Sequence, residues 1–178
     1  DPSVVKIGHN IKYDKLVISQ PRNGSITINP IHDTMCMSYV IDANRYSHKL
    51  DSLAFDFFEH ETIKFEDVCG KGSKQVTFDK IHPNEALNYA AEDADFCLRL
   101  YNFIKQDLFS LKLNTVYETI ERSLINVIVD MEKEGILINK SVLNSLSIEF
   151  QEKLNNLQQK IFDCSDQEFN IASPKQLG

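Results

Sequence analysis

Two aspartates stand where the surrounding pattern calls for apolar side chains. In the segment that opens at Pro83, small or apolar residues recur at steps of three and four. They are Ala86, Ala90, Cys97, Leu100 or Tyr101, and Ile104, and Asp93 takes the place between Ala90 and Cys97. Ile7, Ile11 and Ile18 define a similar stripe near the start of the chain, and Asp14 falls on it. An ionised carboxylate turned toward a core is unfavourable unless it is paired, hydrogen-bonded or bound to a cation. Two such acids brought together from separate helices would make a hard-oxygen site suited to Mg²⁺ or Mn²⁺. Tyr89 lies one turn before Asp93, so its phenol shares that face and could orient a metal-bound water. The plainer reading leaves Asp14 capping a helix turn and Asp93 paired with a Lys or Arg. Glu92 and Asp95 fall off the stripe and read as solvated charges.

These acids need elements to carry them. Val4–Gly8 reads as a strand, and Asn10 as the N-cap of a helix from Ile11 to about Ser19. Pro21 and Asn23-Gly24 break the pattern, Ser25–Ile28 has β composition, and Ile31–Asp33 reads as a short edge strand. Helices follow over about Thr34–Ile41 and Asp51–Phe58, and Val68–Lys74 reads as a surface loop. The helix carrying Asp93 runs from Pro83, whose missing N–H is harmless in a first turn, to about Leu108. Asn114 is placed to cap a long helix to Glu134, with Gly135 as its stop. After an extended link at 135–138, Asn139 or Ser141 starts another long helix, with Leu143, Leu146, Phe150, Leu154, Leu157 and Ile161 on one face. Ser173-Pro174 is a further helix start. Short strands alternate with helices before residue 110 and long helices dominate after it. The expected division is 1–110 and 111–178, with the boundary at Leu108–Asn114.

The 178 residues carry 42% hydrophobic content, enough for a core, and a net charge of −7. That balance argues against a simple basic nucleic-acid binder. It leaves room for a metal-dependent nuclease, whose acids point inward. Cys36, Cys69, Cys97 and Cys164 are scattered and read as reduced thiols, three of them core fillers, in keeping with a cytoplasmic protein. No apolar run is long enough to span a bilayer, so no membrane partner is expected. The opening Asp1-Pro2 and the stop at Gly178 suggest an internal piece of a larger protein.

Lys6-Ile-Gly-His-Asn-Ile-Lys-Tyr-Asp14 resembles the second exonuclease motif of the bacterial family A DNA polymerases (the DNA polymerase I family), N-x-x-x-D with a Tyr before the acid. Tyr89-Ala-Ala-Glu-Asp93 resembles their third motif, Y-x-x-x-D. Asp33-Thr-Met, Leu50-Asp-Ser-Leu53, Ile63–Gly72 and Val76-Thr-Phe78 lie between them in the family's order. Met131–Ile138 and Phe169–Leu177 resemble the start of the polymerase region. A lone Y-x-x-x-D would be a weak signal, whereas the ordered set spans essentially the whole chain.

The resemblance implies an α/β, ribonuclease H-like exonuclease domain lacking its leading strands, followed by an all-α segment at the base of the polymerase thumb. It implies 3′–5′ proofreading hydrolysis by two metal ions about 4 Å apart. Asp14 and Asp93 match two of the family's four metal-binding carboxylates, and Tyr89 its water-positioning tyrosine. Asn10 and Tyr13 match residues lining the site, and Phe65 an aromatic that packs on a frayed 3′ end; for Tyr13 and Phe65 a core role is an equal alternative. The implied partner is DNA, as a single-stranded 3′ end and a primer-template.

The family's D-x-E motif does not precede Asp14, so the chain by itself is expected to bind metal poorly and to hydrolyse little. Truncated leading strands would leave a sheet edge open to self-association. Tyr46-Ser-His48 replaces the family's frequent Arg-His pair, with Arg45 slightly upstream. Lys71 and Lys74 could meet phosphate, although a solvated loop is the plainer reading. The five histidines show no metal-ligand spacing and read as incidental. Two rival functions are a catalytically silent, supporting exonuclease-like domain and a stand-alone RNA exonuclease of the same carboxylate class.

Overall fold

A computed structural model describes residues 1–20 and 26–177. The chain divides into two compact units, Asp1–Glu134 and Gly135–Gly178. The division falls later than the change in composition, because helical residues 114–134 stay packed on the first unit through buried Tyr117, Ile125 and Val129.

In the first unit β1 (Lys6–Gly8) and β2 (Ile31–Asp33) pair in parallel, with Lys6, Ile7 and Gly8 opposite Ile31, His32 and Asp33. Helix α1 (Ile11–Ile18) connects them. Then come α2 (Thr34–Ile41), α3 (Leu50–Phe58), the short α4 (Phe65–Cys69), and the 28-residue α5 (Pro83–Ser110). A small parallel sheet covered by helices agrees with the α/β expectation.

Helix α5 forms the spine. His82 Nδ1 accepts from Asn84 N at its start, and Pro83 fills the first turn. Its inner face buries Ala86, Phe96, Cys97, Leu100, Ile104 and Leu108. Leu100, Ile104 and Leu108 meet Met37 of α2, Leu53 of α3 and Tyr117 in one core. Burial of such side chains stabilises by roughly 1.5–3 kcal/mol each relative to exposure. A second cluster, Ile11, Ile31 and Ile125, seats α1 and β2 against α7 (Arg122–Glu134).

Several expectations are corrected. Ile26–Ile28 forms no strand, because no neighbouring strand takes up its backbone groups; the Lys15 ammonium takes the Ile28 carbonyl instead, at 3.0 Å. The expectations for Pro21, Asn23-Gly24 and Ser25 lie outside the described residues. Ala90 is exposed, although Ala86 one turn earlier on the same stripe is buried. The Val68–Lys74 loop is partly helical. Cys69 ends α4 and is buried, Gly70 takes φ 78°, and Gly72–Lys74 forms a 3₁₀ turn. Asn114 does not cap. It is the first residue of α6 (Asn114–Val116), and a π-helical turn, Tyr117–Glu121, separates α6 from α7.

The second unit is α8 (Lys140–Ser165) and α9 (Pro174–Leu177). Gly135 has φ 76°, as a helix stop requires. Asn139 caps α8 by accepting from Ser141 N and Val142 N. Phe169 folds back onto Phe162, ring centroids 5.8 Å apart. No residue of α8 is buried. No helix among the described residues is long and apolar enough to cross a membrane.

Candidate active site

The two anomalous aspartates face one cleft. It has a volume of about 690 Å³ and lies between α1 and α5, with Asp14, Asp51, Phe65, Tyr89 and Asp93 on its walls. Gly8 lines it as well. A Cβ there would come within 3.0 Å of the Ile11 side chain, so glycine lets β1 run close under α1.

Partial desolvation raises both acids. The Asp93 carboxyl is pushed above its ordinary value, first by desolvation, with the Glu92 and Asp51 charges adding and a hydrogen bond from Tyr89 opposing. Asp14 is also raised, chiefly by desolvation and further by the Asp33 charge, although its side chain remains reachable from solvent. Tyr89 is pushed up by burial and by Asp93, which keeps its phenol protonated as a donor. Cys97 feels Asp93, Asp14 and Asp33 as well as burial, and its thiol is pushed up to about 12. It is an inert wall of the cleft. Cys69 is buried, Cys36 half-buried and Cys164 exposed, all as free thiols.

No ion pair among the described residues involves Asp14 or Asp93. Among the described residues, then, no Lys or Arg neutralises Asp93 as the plainer reading expects. Among the described residues no three His, Cys, Asp or Glu side chains converge closely enough to hold an ion together.

Of the other site candidates, Phe65 lines the cleft and stands edge-on to Tyr89, ring centroids 6.4 Å apart, with Phe78 beside both. Asn10 and Tyr13 do not line it. Tyr13 points outward, 65% exposed. Asn10 adopts a left-handed conformation, φ 60°, and makes no side-chain cap, contrary to expectation. Asp33 does that work. Only 1% exposed, it accepts from Asn10 N (3.0 Å) and Ile11 N (2.9 Å) at the start of α1, and from Met35 N (2.9 Å) and Cys36 N (3.3 Å) at the start of α2.

Other polar residues acquire partners that the sequence reading missed. Glu92 is not a solvated charge; it accepts from Ile63 N at 2.7 Å and meets His60 Nε2 at 2.8 Å, tying the segment before Phe65 to α5. The histidines are not all incidental. His9 lines the cleft with Nδ1 2.9 Å from Thr34 Oγ1, and His32 and His48 are buried, His48 Nδ1 lying 2.9 Å from Ser38 Oγ. Lys71 pairs with Glu66 at 2.9 Å on the surface. An Asp directly before a helix was the readable signal for Asp33; Glu92 and His9 left none.

Asp14, Tyr89 and Asp93 thus share one cleft of an α/β unit, and the comparisons give the family. Residues 1–108 match the family model for the 3′–5′ exonuclease domain of family A DNA polymerases, and the chain belongs to that family. DNA polymerase I of Pseudomonas aeruginosa is 41% identical over 179 residues, and that of Rhizobium leguminosarum 40% over 178. Each covers 100% of this chain, which spans only 20% and 17% of their lengths. The POL domain of Pol1 from M. smegmatis, solved in complex with DNA primer-template and dNTP, shares the fold. It superposes with a TM-score of 0.66 at 21% identity, covering 99% of this chain and 27% of that one.

Proposed function

We propose that this chain is the portion of a DNA polymerase I that carries part of its 3′–5′ proofreading site, and that the whole protein hydrolyses the terminal phosphodiester of a frayed single-stranded 3′ end. The reading rests on one observation. Asp14 and Asp93, from separate helices, face the same cleft with no cationic partner among the described residues and with both carboxyls resisting ionisation.

Such a donor set fits Mg²⁺ or Mn²⁺, hard cations that prefer carboxylate oxygen. Asp14 and Asp93 would hold the ion, which when bound activates water and stabilises the leaving oxygen. Tyr89, whose one phenolic proton is given to Asp93, orients the attacking water by accepting from it. Phe65 offers a ring at the cleft wall on which any base can stack, so recognition needs no sequence. Asn10 and Tyr13 stand on the α1 side outside the cleft walls, and their proposed role is to meet the DNA strand before it enters. The further carboxylates that complete a two-metal site would come from a D-x-E sequence, which residues 1–13 do not contain. Residues 1–178 alone therefore hydrolyse poorly.

Release of label from a 3′-labelled single strand by the full-length protein tests this, with Asp93→Ala alongside. Loss of even outer-shell partners of a metal costs about 10–100-fold, so Asp93→Ala should cost more than about 100-fold. Absence of metal-dependent release in both proteins would make the domain a structural support for the polymerase.

A further inference from the structure

Helix α1 carries Asp14 but lacks a cap of its own. Asn10 stands at the N-cap with φ 60° and no side-chain bond, so the first N–H groups of α1 depend on Asp33. That single carboxylate divides its oxygens unequally. Oδ1 takes Asn10 N together with Met35 N and Cys36 N of α2, whereas Oδ2 takes Ile11 N alone, at 2.9 Å. Asp33 is in turn held from outside the exonuclease match. Its N–H donates to the Tyr117 phenol oxygen at 3.0 Å. Tyr117 begins the π-helical turn, and such turns are frequent at functional sites.

The ring of Tyr117 is fixed on two sides. It is 1% exposed within the main core, and its oxygen lies 3.1 Å from His32 Nδ1. Arg122, steadied by Glu118 at 2.7 Å, points a guanidinium N–H at His32 Nε2, 3.4 Å away. That nitrogen then accepts, and the Nδ1 proton of a neutral His32 is directed at Tyr117. A continuous line of buried or half-buried contacts thus runs from the 117–122 segment through β2 to the first turn of α1.

We propose that Asp33 is a positioning residue for Asp14, and that Tyr117 makes the exonuclease cleft depend on the helical segment after it. This rests on the proposed function above. Asp33 touches no reacting atom; it fixes the axis and phase of α1, and with them where the Asp14 carboxylate stands in the cleft. Misplacement of a reacting group by about 1 Å can cost on the order of 10²-fold in rate.

The unequal division of the Asp33 oxygens supplies a discriminating variant. In Asp33→Asn the amide oxygen stays where three donors converge, so the α2 cap survives. The amide nitrogen then faces Ile11 N, donor against donor, so α1 loses one of its two Asp33 contacts while α2 keeps both of its own. Hydrolysis of a single-stranded 3′ end by the full-length protein is measured for wild type, Asp33→Asn, Tyr117→Phe and Asp14→Ala, with KM and kcat separated. For Asp33→Asn we expect kcat to fall at least about tenfold with KM within about twofold, and half-maximal activity to need more Mn²⁺. Tyr117→Phe should lower kcat about threefold at unchanged KM. Loss of activity in Asp14→Ala with kcat intact in Asp33→Asn would overturn the positioning role while leaving the proposed function standing. Full activity in Asp14→Ala would remove both, beginning with the function. Should Asp33→Asn not fold, Tyr117→Phe decides: a lower kcat at constant KM supports the relay, and an unchanged kcat overturns it.

Discussion

Helices α5 and α8 are nearly equal in length, at 28 and 26 residues, and both show an apolar stripe, yet only α5 buries one. Leu100, Ile104 and Leu108 of α5 are at most 2% exposed, while Leu143, Phe150, Leu154 and Leu157 of α8 are each more than half exposed. The stripe therefore records which side of a helix is prepared for a neighbour, and burial records whether α2, α3 or another element supplies one. Where the neighbour exists, it also fixes the polar groups. Asp93 is held in the first unit by the same packing that buries Cys97 and Leu100.

The largest expected effect breaks this comparison directly. Ile104→Ala should destabilise residues 1–178 by about 2–5 kcal/mol, as core truncations do, and Leu146→Ala by less than about 0.5 kcal/mol, as exposed sites do. Urea denaturation of both variants gives the contrast. Equal losses would mean that the α8 stripe is as well covered as that of α5.

A second effect separates the units by pH. All five histidines lie in the first unit, and burial holds His9 and His32 below the ordinary value of 6.5. The unfolded chain then binds these protons more readily than the folded one. The stability from keeping the rings neutral is fully present above pH 6.5 and is lost as pH falls through the lowered folded values. Urea midpoints for residues 1–178 should drop between pH 7.5 and pH 5.5, and His9→Gln should flatten the drop. A flat wild-type profile would contradict the buried, neutral rings.

The smallest effect compares one ion pair from each unit. Lys12 pairs with Glu132, joining α1 to α7, and Lys153 with Glu149 along α8. Double-mutant cycles should give about 0.2–1 kcal/mol for the first and about 0.3–0.5 kcal/mol for the second, with both shrinking in high salt. A coupling of several kcal/mol at Lys12–Glu132 would show that α1 leans on α7 through charge rather than through Ile11 and Ile125.

Much of this was legible in the residues. Helices α2, α3, α5 and α8 follow from periodicity and punctuation, and Asp14 and Asp93 from charges that interrupt an apolar stripe. The misses share a cause: each depends on something distant in sequence. Asn10 has the right chemistry for a cap, but Asp33 occupies the position from β2. Glu92 lies off the stripe of α5, yet the segment before Phe65 comes back to meet it. Ile26–Ile28 has strand composition and no strand beside it. Asn10 and Tyr13 entered through the order of a motif rather than through geometry, which is why the cleft walls do not include them.

The π-helical turn at Tyr117–Glu121 has a consequence for how this segment tolerates change in length. It holds one residue more than an α-helical turn of the same rise. Deleting a single residue there would restore ordinary winding and leave α7 in nearly the same phase, whereas a deletion between Arg122 and Ile125 would turn all that follows by about 100°. That second deletion would swing Ile125 off the isoleucine cluster and turn buried Val129 outward. The surplus residue is slack in the helix: losing it is absorbed within 117–121, whereas the same loss inside α7 is read along the rest of the helix.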